Sequence, residues 1–198
     1  MIGVLCPSLF EYRALQGLQF PRGQVHLCVS GMGKVRALYA CHELKKRYPS
    51  LKGVLLIGFA GGLTRGLKIG DLIEPGLFIE HDYDARPLEK YPHRTKNNGK
   101  RLFKEARDVV MLTQDRFLTK NPYAGNEASF AKNRELACDM ESYAVAYFCN
   151  RARIRYSIIK LISDVADENA DHDFLKACRT LAPKLKKTVY EAVNRMGS

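Results

Sequence analysis

Val54-Leu-Leu-Ile-Gly-Phe-Ala-Gly-Gly62 is the stretch that decides the fold class of this 198-residue chain. Four consecutive apolar residues with no polar alternation read as a strand buried on both faces, which is the habit of a parallel sheet covered by helices. The glycines that follow let backbone approach a ligand, or make a tight turn. The pattern recurs to either side. Ile2-Gly-Val-Leu-Cys6 and Val25 to Ser30 read as strands, the second ending at Gly31-Met-Gly33. Val109 to Leu112 and Ser157-Ile-Ile-Lys-Leu-Ile162 read as two more, and Asp71 to Glu80 holds strand-like pairs broken by Pro75-Gly76.

Helical patterns fill the intervals. Phe10 to Leu18 reads as a short helix. Val35, Leu38, Tyr39 and His42 recur at i, i+3, i+4 and i+7, and that helix should stop before Pro49. Glu141 to Arg151 reads as a helix apolar over much of its surface. Cys178, Ala182, Leu185, Val189 and Ala192 alternate by four and three, which predicts one long terminal helix with a single buried stripe. Strand and helix in alternation point to an α/β layer architecture with a mostly parallel sheet, in which ligands bind at the carboxyl ends of strands. The polar stretch from Asp84 to Lys104, with Pro87, Pro92 and Asn97-Asn98-Gly99, is expected to be a surface loop. No repeat or linker divides residues 1–198, so one domain is expected.

Composition narrows the function classes. A chain of this length buries roughly 70% of its unfolded surface and needs no disulfide or metal to hold a core. The net charge of +11 and a pI near 9.4 admit an anionic partner. The Lys and Arg residues are dispersed, however, in short clusters such as Lys45-Lys46-Arg47. Without a basic block, zinc-finger spacing or aromatic RNA-binding signature, no nucleic-acid partner is expected. The six cysteines are scattered, with no C-x-x-C pair, as in a reduced, cytoplasmic protein. No apolar run approaches the ~18 residues of a membrane span, and the chain opens without a leader pattern, so no membrane partner is expected either.

Five places at predicted strand ends could carry chemistry, and each has a structural reading beside the functional one. Ser30-Gly-Met-Gly-Lys34 precedes a helix whose amides could hold an anion, or it is a plain turn. It is neither G-x-G-x-x-G nor a Walker loop, since Arg36 stands where the third glycine would be. Gly58-Phe-Ala-Gly-Gly62 could let backbone meet a ligand. Asp139-Met-Glu141 could accept hydrogen bonds from sugar hydroxyls, or Asp139 caps the helix. Ser163-Asp164-Val-Ala-Asp167 follows the most apolar late strand. An acid there could protonate a leaving group if burial raises its pKa, or it forms a turn. Glu11, after the first strand, could act as a general base toward water, or lie exposed at a helix start.

Taken in order, Glu11, Ser30-Gly-Met-Gly-Lys-Val35, Gly58-Phe-Ala-Gly-Gly62, Leu67-Lys-Ile-Gly-Asp-Leu72, His81-Asp82-x-Asp84, Asp139-Met-Glu141 and Ile162-Ser-Asp-Val-Ala-Asp167 resemble the purine nucleoside phosphorylase/uridine phosphorylase superfamily. The likeness is to its methylthioadenosine/S-adenosylhomocysteine nucleosidase branch, which includes aminofutalosine and futalosine hydrolases, and it runs through nearly the whole chain. The resemblance implies a single-domain three-layer α/β/α sandwich with a mixed, mostly parallel central sheet. It implies hydrolysis of the N-glycosidic bond of a 5′-modified purine nucleoside, with no metal or organic cofactor, by a homodimer. Asp164 would protonate purine N7, oriented by Ser163, and Glu11 would activate the water. Met140 and Glu141 would hold the ribose. Phe117 would stack on the base, with the Phe117 and Leu118 backbone touching it and Ala60 and Gly61 lining its pocket. Met32, Ser8 and Phe174 would border the sugar and the 5′ substituent.

Two further expectations come from the departures. The segment Cys6-Pro-Ser-Leu-Phe-Glu11 has no Gly-Asp-Pro-x-Arg pattern, and a carboxylate at Glu11 repels phosphate, so hydrolysis is expected over phosphorolysis. A phosphorylase of the same fold, marked by a need for phosphate, and a non-catalytic nucleoside binder are the alternatives. The chain is short for the family between Asp84 and Asp108, with Phe59 where a small polar residue is usual, Lys160 where arginine is common and Pro7-Ser8 where a small residue and methionine stand. These changes lie near the pocket, and with the basic surface they point to 6-amino-6-deoxyfutalosine, whose 5′ group carries a carboxylate, as a substrate.

Overall fold

The computed structural model describes residues 1–89, 92–98, 101–123 and 134–197. Its elements in chain order are β1 (Ile2–Cys6), α1 (Leu9–Ala14), β2 (Val25–Val29), α2 (Lys34–Arg47), β3 (Gly53–Gly62), β4 (Leu72–Ile73), β5 (Leu77–Glu80), β6 (His93–Lys96), β7 (Val109–Thr113), β8 (Glu135–Asp139), α3 (Ser142–Ala152), β9 (Tyr156–Asp164), α4 (Ala170–Thr180) and α5 (Ala182–Gly197).

Among the described residues the strands form one mixed sheet. β1 pairs in parallel with β2 and β3, β3 with β9, and β7 with β5 and β8, while β3–β8, β4–β9 and β5–β6 are antiparallel. β3 is the axis. Its length is paired with β1 and β9, and its last two residues turn to β8. Every residue of β3 and β9 is buried, which is why neither shows an alternating sequence pattern. The two faces still separate by parity. Val54, Leu56 and Ile158 join Ala37, Cys41, Val145 and Cys149 of α2 and α3. Leu55, Ile57 and Ile159 join Ala177 of α4 and Leu185, Val189 and Ala192 of α5. Helices therefore cover both sides of the sheet, giving the three-layer α/β/α arrangement.

Three local expectations are corrected. β3 does not stop at Ile57 but runs through the glycines to Gly62, because side chains from neighbouring elements lie against it there. The single terminal helix is two, breaking at Leu181. Pro183 has no N–H and fits only the first turn of a new helix, and the buried stripe of Cys178, Leu185, Val189 and Ala192 continues across the break. The 84–104 loop contains β6, paired with β5 at the sheet edge. Its residues His93-Arg-Thr-Lys96 are all polar, so an edge strand gave no hydrophobic alternation to read. Residues 90, 91, 99 and 100 of that loop lie outside the described residues.

α2 ends at Tyr48, as Pro49 requires. α3 ends on Arg153 in the left-handed region, with φ of 54°. Glycine is the ordinary residue at such a cap, because a Cβ costs roughly 1–2 kcal/mol there. Arg153 is exposed, so Arg153→Gly should raise the melting temperature by about 2–4 °C. A fall in a thermal melt would contradict this account of the cap.

Candidate active site

The site is built where β3, β8 and β9 end together. Gly61 of β3 pairs with Asp164 on one side and with Cys138 on the other. That register brings Ser163-Asp164 and Asp139-Met140-Glu141 to the same end of the sheet. A cavity of 410 Å³ opens there. It is lined by Glu11, Met32, Ala60, Gly61, Phe117, Leu118, Met140, Glu141, Ser163, Asp164 and Phe174, all of which the sequence singled out. Ser8 is not on the wall. Its amide and hydroxyl both donate to Glu11 Oε2, at 2.7 and 2.6 Å, so it grips the carboxylate instead of bordering the cavity.

Glu11 is buried rather than exposed at its helix start, and closes a capping box with Ser8. Its Oε1 accepts from the Phe59 amide at 3.0 Å. A Cβ on Gly58 would fall 2.2 Å from that oxygen, so the glycine is what admits the carboxylate. Burial pushes the Glu11 pKa up, against the pull of Lys160, Ser8 and the Phe59 amide. Asp164 follows the same design on the other side of β3. Ser163 Oγ donates to its Oδ2 at 2.6 Å and the Ala166 amide to its Oδ1 at 3.0 Å. A Cβ on Gly61 would lie 2.9 Å from Asp164 Oδ1. Burial again raises the pKa, and the Ser163 and Ala166 bonds oppose it.

Glu141 Oε1 accepts from the Gly33 amide at 2.9 Å, and burial lifts its pKa to about 7 while Lys160 pulls against the rise. Asp139 also lines the cavity, but its carboxylate is held by the protein. It accepts from Thr113 Oγ1 at 2.8 Å and from the amide and hydroxyl of Ser142, anchoring the start of α3. Asp139 thus serves the first amide of α3 from two residues before the N-cap, which is Glu141. The amides at the start of α2 are also spent on carboxylates, Gly33 on Glu141 and Lys34 on Asp115 Oδ1 at 2.7 Å. Those two amides are thus bonded within the chain rather than open to an external anion.

Lys160 is the functional-site residue that sequence reading marked only as a departure. It is wholly buried in the middle of β9, 3.1 Å from Asp139 Oδ2 and 3.5 Å from Glu141 Oε2. Burial works against its charge, but Asp139, Glu141 and Glu11 outweigh burial and hold its pKa above the ordinary lysine value. The available signal was a lysine inside the apolar run Ser157–Ile162, which demands a buried counter-charge. The cavity wall also includes Phe10, Phe59, Arg116, Cys138 and Asp171, none of them singled out as binding residues. Phe174 meets Phe10, Phe59 and Phe117 edge-on, with ring centroids 5.9 to 6.4 Å apart, and makes an aromatic wall.

Known proteins resemble this chain in sequence and in fold. The family model described as the phosphorylase superfamily matches residues 11–194. A 5′-methylthioadenosine/S-adenosylhomocysteine nucleosidase of Buchnera aphidicola subsp. Acyrthosiphon pisum is 30% identical over 191 residues, covering 86% of this chain and 80% of that protein. An aminodeoxyfutalosine nucleosidase of Campylobacter jejuni is 27% identical over 177 residues, covering 79% and 74%. Among solved structures, the futalosine hydrolase of Helicobacter pylori superposes with a TM-score of 0.82 at 21% identity, covering 98% of this chain and 97% of that one. The 5′-methylthioadenosine/S-adenosylhomocysteine nucleosidase of Neisseria meningitidis, solved with methylthio-immucillin-A, has a TM-score of 0.79 at 24% identity, with 98% of each chain covered. These two likenesses establish a common fold. With the family match and the paired carboxylates on one cavity, the chain belongs to the phosphorylase superfamily, in the branch that holds the methylthioadenosine/S-adenosylhomocysteine and aminodeoxyfutalosine nucleosidases.

Proposed function

We propose that this protein hydrolyses the N-glycosidic bond of a 5′-modified purine nucleoside and releases the free base, usually adenine. The observation that carries the reading is a pair of buried carboxyls with raised pKa, Glu11 and Asp164, on the wall of one cavity. Adenine leaves poorly as an anion, so Asp164, whose pKa burial raises, acts in its protonated form and donates to N7 as the bond breaks. The sugar then carries oxocarbenium charge, as in glycoside hydrolysis. Glu11 acts in its charged form, which Lys160, Ser8 and the Phe59 amide favour against burial; it stabilises the charge on the sugar and takes a proton from the attacking water. Ser163 orients Asp164. Glu141 accepts from ribose hydroxyls beside Met140. Phe117 stacks on the base, the Phe117 and Leu118 backbone touches it, and Ala60 and Gly61 line its pocket. Met32 and the Phe174 aromatic wall flank the sugar and the 5′ group.

Water is favoured over phosphate as nucleophile for electrostatic reasons. Glu11, Glu141 and Asp139 are grouped around the buried cation Lys160, and the Gly33 and Lys34 amides are already bonded. A dianion entering here would be repelled. The substrate class follows the relatives: methylthioadenosine, S-adenosylhomocysteine or 6-amino-6-deoxyfutalosine. A homodimer is part of this reading. It is supported by the exposed apolar residues Val35, Leu38 and Tyr39 of α2 and Tyr147 of α3. A cytoplasmic site of action is supported by six cysteines that are all free, five of them buried. Among the described residues no helix is long and apolar enough to cross a membrane.

The first test is adenine release from the three nucleosides in phosphate-free buffer. Turnover of at least one is expected, and the ranking of kcat/KM names the substrate. A strong preference for methylthioadenosine would sink the 6-amino-6-deoxyfutalosine assignment, and no release from any would sink the adenosine-type hydrolase.

Substitution and pH test the roles. Asp164→Asn should keep the fold and lower kcat by roughly 10²-fold or more through loss of the acid. Glu11→Gln should bind substrate nearly as the wild type does and slow hydrolysis. Asp164 works protonated, and its pKa is raised, so wild-type kcat/KM should fall on the alkaline side as that proton is lost. The midpoint should lie above the ordinary carboxyl range, and this limb should be missing from Asp164→Asn. An alkaline limb unchanged in the variant, or turnover near that of the wild type, would remove Asp164 from the mechanism.

A further inference from the structure

The functional reading leaves His81-Asp82-x-Asp84 without a role. Asp84 lies at the surface against Arg86. His81 and Asp82 instead converge on one segment, Gln114-Asp115-Arg116, which immediately precedes Phe117 and Leu118 of the cavity wall. Past Thr113 this segment belongs to no helix or strand, and beyond the Gln114 amide, which donates to the Asp139 carbonyl at 3.0 Å, side-chain bonds supply the order that a ladder would give.

His81 Nδ1 is 2.7 Å from Gln114 Oε1, and His81 Nε2 is 2.6 Å from the Tyr123 hydroxyl. Gln114 Nε2 donates to the Arg116 carbonyl at 3.0 Å, which orients the amide and leaves its oxygen to accept from His81. Asp82 Oδ2 accepts from the Asp115 amide at 2.8 Å, and Asp82 Oδ1 pairs with the Lys34 ammonium. Lys34 is itself held by Glu80 at 3.0 Å, and its amide donates to Asp115 Oδ1. All three residues of the segment are thereby fixed, Gln114 and Asp115 from the His81-Asp82 pair and Arg116 through Gln114. Neither His81 nor Asp82 lines the cavity. Gly33 completes the arrangement, since a Cβ there would stand 3.1 Å from Asp115 Oδ1 and its φ of 100° suits only glycine.

We propose that His81 and Asp82 are positioning residues that set affinity for the purine base, by holding Gln114–Arg116 and through it Phe117 and Leu118. The inference rests on the nucleosidase reading. It separates base binding from bond cleavage, because Glu11 and Asp164 are held by other elements. Displacing the stacking ring weakens its contact with the base, whereas the acid and base stay where they are.

The test compares Asp82→Ala, Asp82→Asn and Tyr123→Phe with the wild type, reading adenine Kd by calorimetry alongside KM and kcat. The Asp82 side chain is 35% exposed, so its replacement leaves the core intact. Asp82→Ala should raise adenine Kd and KM together by about tenfold, with kcat changed by less than about threefold. Asp82→Asn keeps an acceptor for the Asp115 amide and should recover most of the loss. Tyr123→Phe keeps the ring, removes the hydroxyl at His81, and should shift Kd in the same direction by a smaller factor. It decides alone if Asp82→Ala does not fold. Folded variants whose adenine Kd stays within about twofold of the wild type, or whose kcat falls at constant Kd, overturn the inference and leave the nucleosidase standing. A wild type that binds no adenine and cleaves no nucleoside overturns both.

Discussion

A lysine ammonium with none of its surface in water sits among three buried carboxylates, and the rest of the site is arranged around that fact. Desolvating a charge costs several kcal/mol even after relaxation, and the cost is met only by close, opposite charge. Asp139 and Glu141 stand 3.1 and 3.5 Å from Lys160, and Glu11 adds its field from α1. The balance is uneven. Burial raises the pKa of Glu11 and Glu141, Asp139 and Glu11 add to the rise at Glu141, and Lys160 opposes the rise at both without cancelling it. A region poised toward negative charge is what a developing oxocarbenium ion needs and what a phosphate dianion avoids.

The same economy of space explains the glycines. Carboxylates can lie against a strand only where that strand has no side chain. Gly58 yields to Glu11 and Gly61 to Asp164, on one continuous strand, three residues apart. β3 and β9 pair in step as far as Ala60 and Ile162, and a shift of register between Ala60 and Gly61 then sets Asp164 beside Gly61. Asp164 is thus set by the sheet, and Glu11, at the start of α1, by Ser8 and the Phe59 amide. The base-side loop, lacking a ladder, is set instead by His81 and Asp82. Rigid sheet for the chemistry and pinned loop for recognition is a common division of labour in α/β enzymes.

How much of this was legible in the sequence depends on what kind of signal each part leaves. The buried strands at Val54 and Ser157 announce themselves as unbroken apolar runs, and α2 by its period and by Pro49. β6 does not, because an edge strand of four polar residues carries no hydrophobic signature. The division of the terminal helix at Leu181 was concealed by a buried stripe that crosses it unbroken. Within the site, the motifs and the resemblance reached most of the cavity wall, but Phe10, Arg116, Cys138 and Asp171 line it with no motif to mark them as binding residues, and Ser8 lies behind Glu11 rather than on the wall. What the sequence could not tell was partnership. Whether Asp139 faces a ligand or a helix start, whether the Gly33 amide meets an anion or Glu141, and which acids surround Lys160 are long-range facts that no local pattern encodes. Lys160 itself was visible as an anomaly, a charge inside an apolar strand, and such an anomaly is where a site should be sought.

The central claim is that water, activated at Glu11, is the group that captures the sugar. The most direct measurement is mass-spectrometric identification of the sugar product from a turnover run in saturating inorganic phosphate. The account predicts the free 5-substituted ribose, with adenine released at the same rate as without phosphate. A ribose 1-phosphate as the product would contradict it and make the chain a phosphorylase.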